Sequence, residues 1–125
     1  MVISLCIPNM NRTYCLKRTL PSIIKAANAS SPVEITILNY SSTDDLEDYI
    51  EEIKKDTVLV DGNSFNFPKV MGEQYFHVSH ARNVASLASH GDYIIQLDTE
   101  IVPSENFVEY IRTQIETKKL VWMCE

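Results

Sequence analysis

The sequence predicts an α/β fold, a mostly parallel sheet with helices on both faces, and two observations carry that reading. Short dense apolar runs alternate with longer segments of helical period, the pattern of βαβ units rather than of a helical bundle. The polar clusters "IPNMNR", "LNYSSTDD" and "LDTE" each follow directly on an apolar run, so in a parallel sheet they share one edge, the edge where ligands bind. At 125 residues with 45% hydrophobic content, the chain suits a single domain, 1–125, with a real core.

Taken in order, "VISLCI" (2–7), "VEITIL" (33–38), "TVLV" (57–60) and "DYIIQL" (92–97) read as buried strands, and "LVWMC" (120–124) as a fifth. Leu16, Leu20, Ile23, Ile24 and Ala27 place one helical stripe against the sheet, and Pro21 inside that stripe is expected to kink or split the helix. "SSTDDLEDYIEEIKK" predicts a second helix, capped at Ser42 or Thr43, with acidic residues in its first turn, a stripe of Leu46, Tyr49, Ile50 and Ile53, and lysines at its end. "SHARNVASLASHG" predicts a third, rich in small residues, from a cap near Ser79 to a stop at Gly91. "PSENFVEYIRTQIETKK" predicts a fourth, capped at Ser104. The segment 61–77 reads as one long loop, a length that is uncommon without a function. There is no internal repeat or low-complexity tract.

Composition excludes several functions. Seventeen acidic against eleven basic side chains give a net charge of −6, which argues against sequence-independent nucleic-acid binding. No segment approaches the ~18 apolar residues of a membrane span, and "MVISLCIPNMNR" lacks the marks of a signal peptide, so a cytoplasmic protein is expected. Cys6, Cys15 and Cys124 form no CxxC pair and indicate neither a disulfide framework nor a zinc site; Cys6 and Cys124, in apolar runs, read as core. The three glycosylation sequons are then chance matches. His77 and His80 read as cap or loop residues without a third ligand, His90 as a partner of a helix C-terminus, and Trp122 and Tyr93 as core.

Asp98 and Glu100 are the sharpest candidates for chemistry. In an extended segment alternate side chains share a face, so both carboxylates would point one way and Thr99 the other. Hard divalent cations such as Mg²⁺ and Mn²⁺ use one or two carboxylates together with substrate phosphates. The plain alternative is a solvated strand end.

The order of the motifs "CIPNMNR" (6–12), "LNYSSTDD" (38–45), "SHARN" (79–83) and "LDTE" (97–100) resembles the nucleotide-binding half of a GT-A glycosyltransferase of the family 2 type, over essentially the whole chain. The resemblance implies a Rossmann-like GT-A fold, shortened at the C-terminus, that binds a nucleotide-diphosphate sugar, with a UDP-sugar favoured. Carried over by position, Pro8 and Met10 would border the nucleoside, and Arg12 belongs to the same loop. Asn39 stands where the family has an aspartate for uracil; its carbonyl still accepts from a base N–H without the charge-assisted component. Tyr40 either lies against the base or packs. Arg82 would hold base or diphosphate, or else pair with Asp98 or Asp44. Asp98 would contact ribose or metal, and Glu100 would replace the second metal-binding aspartate, one methylene longer. Mn²⁺ or Mg²⁺ is the implied cofactor.

The family's catalytic base lies in a second half beyond this segment, and no residue here takes its place; Asp44, Asp45 and Asp61 read as cap or loop residues. Two functions are therefore expected: the donor-binding domain of an inverting glycosyltransferase, or an inactive remnant of that fold that binds a nucleotide sugar or oligomerises through an exposed sheet edge.

Overall fold

The computed structural model describes residues 1–117, and the strand expected at 120–124, with Trp122 and Cys124, lies outside them. The elements are β1 (Ile3–Asn9), α1 (Thr13–Asn28), β2 (Val33–Tyr40), α2 (Leu46–Asp56), β3 (Ser64–Asn66), β4 (Lys69–Val70), α3 (Val78–Ala88), β5 (Tyr93–Gln96) and α4 (Phe107–Glu116). The strands run in the order β3-β2-β1-β5, β4 also pairs with β2, and every described pairing is parallel. The carboxyl ends of β1, β2 and β5 therefore meet at one edge.

β1 and β2 are buried at every position, their polar residues Ser4, Glu34 and Thr36 included, as befits central strands of a sheet covered on both faces. The pleat still sorts their side chains. Ile3, Leu5, Ile7, Val33, Ile35 and Ile37 join a core with Leu16, Leu20 and Ile23 of α1, Leu46, Ile50 and Ile53 of α2, and Val108 of α4. Each such Leu or Ile contributes about 2 kcal/mol by leaving water. On the other face, Cys6, Leu38 and Tyr40 pack against Ala81 and Ala85 of α3. The two alanines present no bulk to the sheet, so the small-residue pattern of α3 does serve close packing.

Several expectations are corrected. α1 runs unbroken through the exposed Pro21. "TVLV" is not a strand: Leu59 packs on the core, but Val58 is 87% exposed and the segment joins no ladder. The edge of β2 is taken instead by β3 and β4, inside the segment read as a loop, after a turn in which Asn63 N–H donates to the Val60 carbonyl. Apolar content could not reveal this, because the pairing strands "SFN" and "KV" are short and mostly polar. α2 starts later than its expected caps, with Asp45 in the cap position, and α4 starts at Phe107 after Asn106 rather than Ser104. Tyr93, on the outer strand, is 45% exposed and not core.

α3 ends at Ala88, before Gly91, and the turn that follows is held by a buried carboxylate. Glu34, 5% exposed, accepts from Ser4 Oγ (2.7 Å), Thr36 Oγ1 (3.3 Å) and His90 N–H (2.9 Å), and its second oxygen lies 2.7 Å from His90 Nδ1. His90 thus serves Glu34 rather than a helix dipole. Ser4 Oγ in turn accepts from Gly91 N–H. A Cβ at Gly91 would stand 2.8 Å from Ser4 N and closer still to its hydroxyl, so the glycine is needed for close approach. Burial pushes the Glu34 carboxyl up, but the His90 backbone and ring and the Ser4 hydroxyl outweigh it and leave its pKa below the ordinary 4.5.

A carboxyl whose folded pKa is depressed adds stability above its unfolded value and loses it as pH falls through the folded one. Glu34→Gln should therefore cost about 2 kcal/mol near neutrality, with the gap to wild type closing below pH 4.5, in urea unfolding followed across pH. Gly91→Ala should lower stability by about 1–3 kcal/mol in the same assay, because the backbone of β1 cannot yield to the added methyl.

Candidate functional site

At the carboxyl edge the loops after β1 and β2 are stitched together by Asn11. Its φ is +56°, a left-handed conformation that asparagine tolerates better than most residues. From there its Oδ1 accepts from Thr43 N–H (2.7 Å), Thr43 Oγ1 (3.2 Å) and Asp44 N–H (3.1 Å), while its own N–H donates to Ser42 Oγ. Asp44 accepts from Thr13 N–H at the start of α1 and from Leu46 N–H at the start of α2, and Asp45 pairs with Lys17. These acids are structural, as read from the sequence.

The end of β1 and its loop border an open cleft of about 370 Å³, lined by Pro8, Met10, Arg12, Phe76, Val78, Arg82, Asp98, Thr99 and Glu100. Six of the eight candidate residues are thus brought together: Pro8, Met10, Arg12, Arg82, Asp98 and Glu100. The remaining two are not in it. Asn39 is 1% exposed; its Oδ1 accepts from Ser42 N–H (2.9 Å), and its Nδ2 is buried without a partner. Tyr40 is fully buried; its hydroxyl sits 2.7 Å from His80 Nδ1, and its ring meets Phe76 edge-on at 5.5 Å. Burial raises the Tyr40 phenol pKa.

Asp98 and Glu100 line the same cleft for a different reason than strand alternation. β5 ends at Gln96, and Ile101 N–H donates to the Asp98 carbonyl (3.1 Å), so the two acids lie on a turn. Thr99 anchors that turn, 6% exposed, with its carbonyl accepting from Thr19 Oγ1 of α1 (2.7 Å). Each acid faces an arginine: Arg82 reaches Asp98 at 3.4 Å and Arg12 reaches Glu100 at 3.6 Å. Gln96 Nε2 donates to the Arg82 carbonyl (3.1 Å) and to Ser86 Oγ (2.6 Å), which ties β5 to α3 and sets the distance between the two sides.

The lining is therefore of two kinds. Two guanidinium groups and two carboxylates share it with the apolar side chains of Pro8, Met10, Phe76 and Val78. Among the described residues no group of three or more His, Cys, Asp or Glu side chains converges on a metal position. The two cleft carboxylates fit a hard divalent cation only where further oxygens complete its shell. Sequence reading missed Phe76 and Val78, which lie in the segment taken for a loop and at the start of α3; "YFHV" just before "SHARN" was the available signal.

The fold and site define an α/β protein with an open parallel sheet whose carboxyl edge carries an acidic turn and facing arginines, and comparison with known proteins identifies the fold as GT-A-like. The model of Glycosyl transferase family 2 matches residues 4–124, and the chain belongs to that family. It is 26% identical over 127 residues to an abequosyltransferase, RfbV, of Salmonella typhimurium, covering 100% of this chain and 36% of that protein. Among solved structures it resembles S. aureus TarS 1–349 in complex with UDP, with a TM-score of 0.73 and 17% identity over 94% of this chain and 32% of that one. The complex of the same protein with UDP-GlcNAc gives a TM-score of 0.72 at 16% identity. The chain thus spans about a third of the length of these relatives. No helix among the described residues is long and apolar enough to cross a membrane.

Asn11 offers a direct test of the stitched loops. Asn11→Ala loses three accepted hydrogen bonds and places a Cβ-bearing residue without local compensation at positive φ, which should cost about 2–3 kcal/mol in urea unfolding. Asn11→Gly loses the same bonds but not the conformation, and should recover about 1 kcal/mol of that loss.

Proposed function

We propose that this chain is the donor-binding domain of a glycosyltransferase that uses a nucleotide-diphosphate sugar, a UDP-sugar by preference, and transfers with inversion. The observation that carries this reading is the mixed lining of the cleft: two arginines face two carboxylates, and apolar side chains including one aromatic ring line the same cleft. A nucleotide sugar joins the matching parts, a flat base and a diphosphate.

Arg12 and Arg82 supply planar forks suited to phosphate oxygens. Their partners are exposed, and exposed ion pairs at this range are worth at most about 1 kcal/mol, so a diphosphate displaces them at small cost. The displaced Asp98 and Glu100 would then hold Mn²⁺ or Mg²⁺ together with the phosphate oxygens. Such an ion neutralises charge developing on the leaving diphosphate. Asp44, being committed to two backbone N–H groups, and Asp45, to Lys17, are not free to serve as general base, so acceptor activation belongs to residues outside this domain.

The reading is tested by calorimetric titration of the chain with UDP- and GDP-sugars, with and without Mn²⁺. UDP-sugar should bind, and more tightly with Mn²⁺. Arg82→Ala should lose about 2 kcal/mol of binding, roughly thirtyfold in Kd. Glu100→Ala should keep metal-free binding and lose the gain from Mn²⁺. Absence of binding by every nucleotide sugar overturns the donor-binding reading; an unchanged Mn²⁺ gain in Glu100→Ala overturns the metal assignment alone.

A further inference from the structure

One apolar side chain of the cleft lining is held in a way that the others are not. Phe76 lines the cleft while 42% exposed. It meets the ring of Tyr40 edge-on, with centroids 5.5 Å apart and planes at 85°. Tyr40 is itself clamped: its ring also meets His80 at 5.5 Å and 74°, and its hydroxyl bonds His80 Nδ1 at 2.7 Å. Tyr40 belongs to β2 and His80 to the first turn of α3, so an exposed aromatic is held by a buried polar–aromatic pair that joins the sheet to a helix. Core packing alone does not call for that arrangement, since Phe76 belongs to neither core cluster and lines the cleft together with Pro8 and Met10.

We propose that Phe76 is the stacking platform for the donor's nucleobase, and that Tyr40 and His80 are positioning residues that hold its ring in place. The inference rests on the donor-binding reading and deepens it. Any base presents a flat π-face, and an aromatic side chain beside an arginine-lined diphosphate site satisfies it without reading its edge. Tyr40 then acts on the base through Phe76 rather than by touching it, which accounts for a tyrosine at the site edge that is fully buried.

The test compares UDP with inorganic pyrophosphate, which has no base, on wild type and on the variants Phe76→Leu, Phe76→Trp and Tyr40→Phe. Phe76→Leu should weaken UDP roughly tenfold while leaving pyrophosphate within about twofold, and Phe76→Trp should restore UDP binding. In NMR spectra the uracil H5 and H6 signals should shift upfield on binding to wild type and lose that shift in Phe76→Leu. Tyr40→Phe, which removes only the hydroxyl bond to His80, should reduce the ring-current shift and UDP affinity severalfold without changing pyrophosphate. Equal UDP affinity in wild type and Phe76→Leu overturns the platform while the donor-binding reading stands. Equal losses for UDP and pyrophosphate in Phe76→Leu, unrelieved by Phe76→Trp, assign the ring to packing and overturn it as well. If wild type binds neither probe, both readings fail together.

Discussion

A carboxylate nearly withdrawn from water inside a parallel sheet must have its charge answered by hydrogen bonds, and Glu34 meets that requirement only because three elements converge on it. Ser4 comes from β1, Thr36 from β2 itself, and His90 from the turn after α3. Ser89 in the same turn donates to Thr36 Oγ1 and lies 3.0 Å from Cys6 Sγ, which extends the network along the sheet. Sliding α3 along the sheet would strand the charge, so the network fixes where α3 ends and where β5 begins. Removing one partner from such a group is far more costly than the net value of the bond itself.

That constraint lies at the opposite end of the strands from the cleft, yet the cleft depends on it. α3 carries Arg82 near its start, and the segment after β5 carries Asp98 and Glu100, so the placement of both sides follows from the turn that joins them. Gln96 repeats the tie near the site, and Asn11 adds a second stitch between the loops after β1 and β2. The result is a fixed frame around the cleft. Arg12 with Glu100 and Arg82 with Asp98 are long contacts to exposed carboxylates, and pairs of that kind add little to the stability of the frame.

The candidate residues differ in how they are placed. Pro8, Met10, Arg12 and Arg82 come from the family resemblance of their motifs, Asp98 and Glu100 also from their position after an apolar strand, and the parallel topology gathers all six at one edge. Asn39 and Tyr40 rest on the same resemblance and are buried, because which side chains at a strand end face the cleft depends on how the following loop packs over them. Ser42 turns back on Asn39, and Phe76 covers Tyr40. Phe76 carried no periodic signal, since it sits in an irregular segment whose course is set by β3 and β4 pairing with β2.

What the sequence determined by itself is the class of fold and the edge at which its polar motifs gather. Both follow from local properties, apolar runs of strand length and helical stripes between them, and from the handedness that brings parallel strands into one sheet. Tertiary structure alone decided the edge partner of β2, the turn that presents Asp98 and Glu100, the buried roles of Glu34 and His90, and the aromatic wall of the cleft. Each of these is held by contacts between residues distant in the chain, as Thr19 of α1 holds the Asp98–Glu100 turn, chosen by which donor can satisfy which buried acceptor and which surface is left to cover. No local pattern records that choice, because it exists only once the elements have packed.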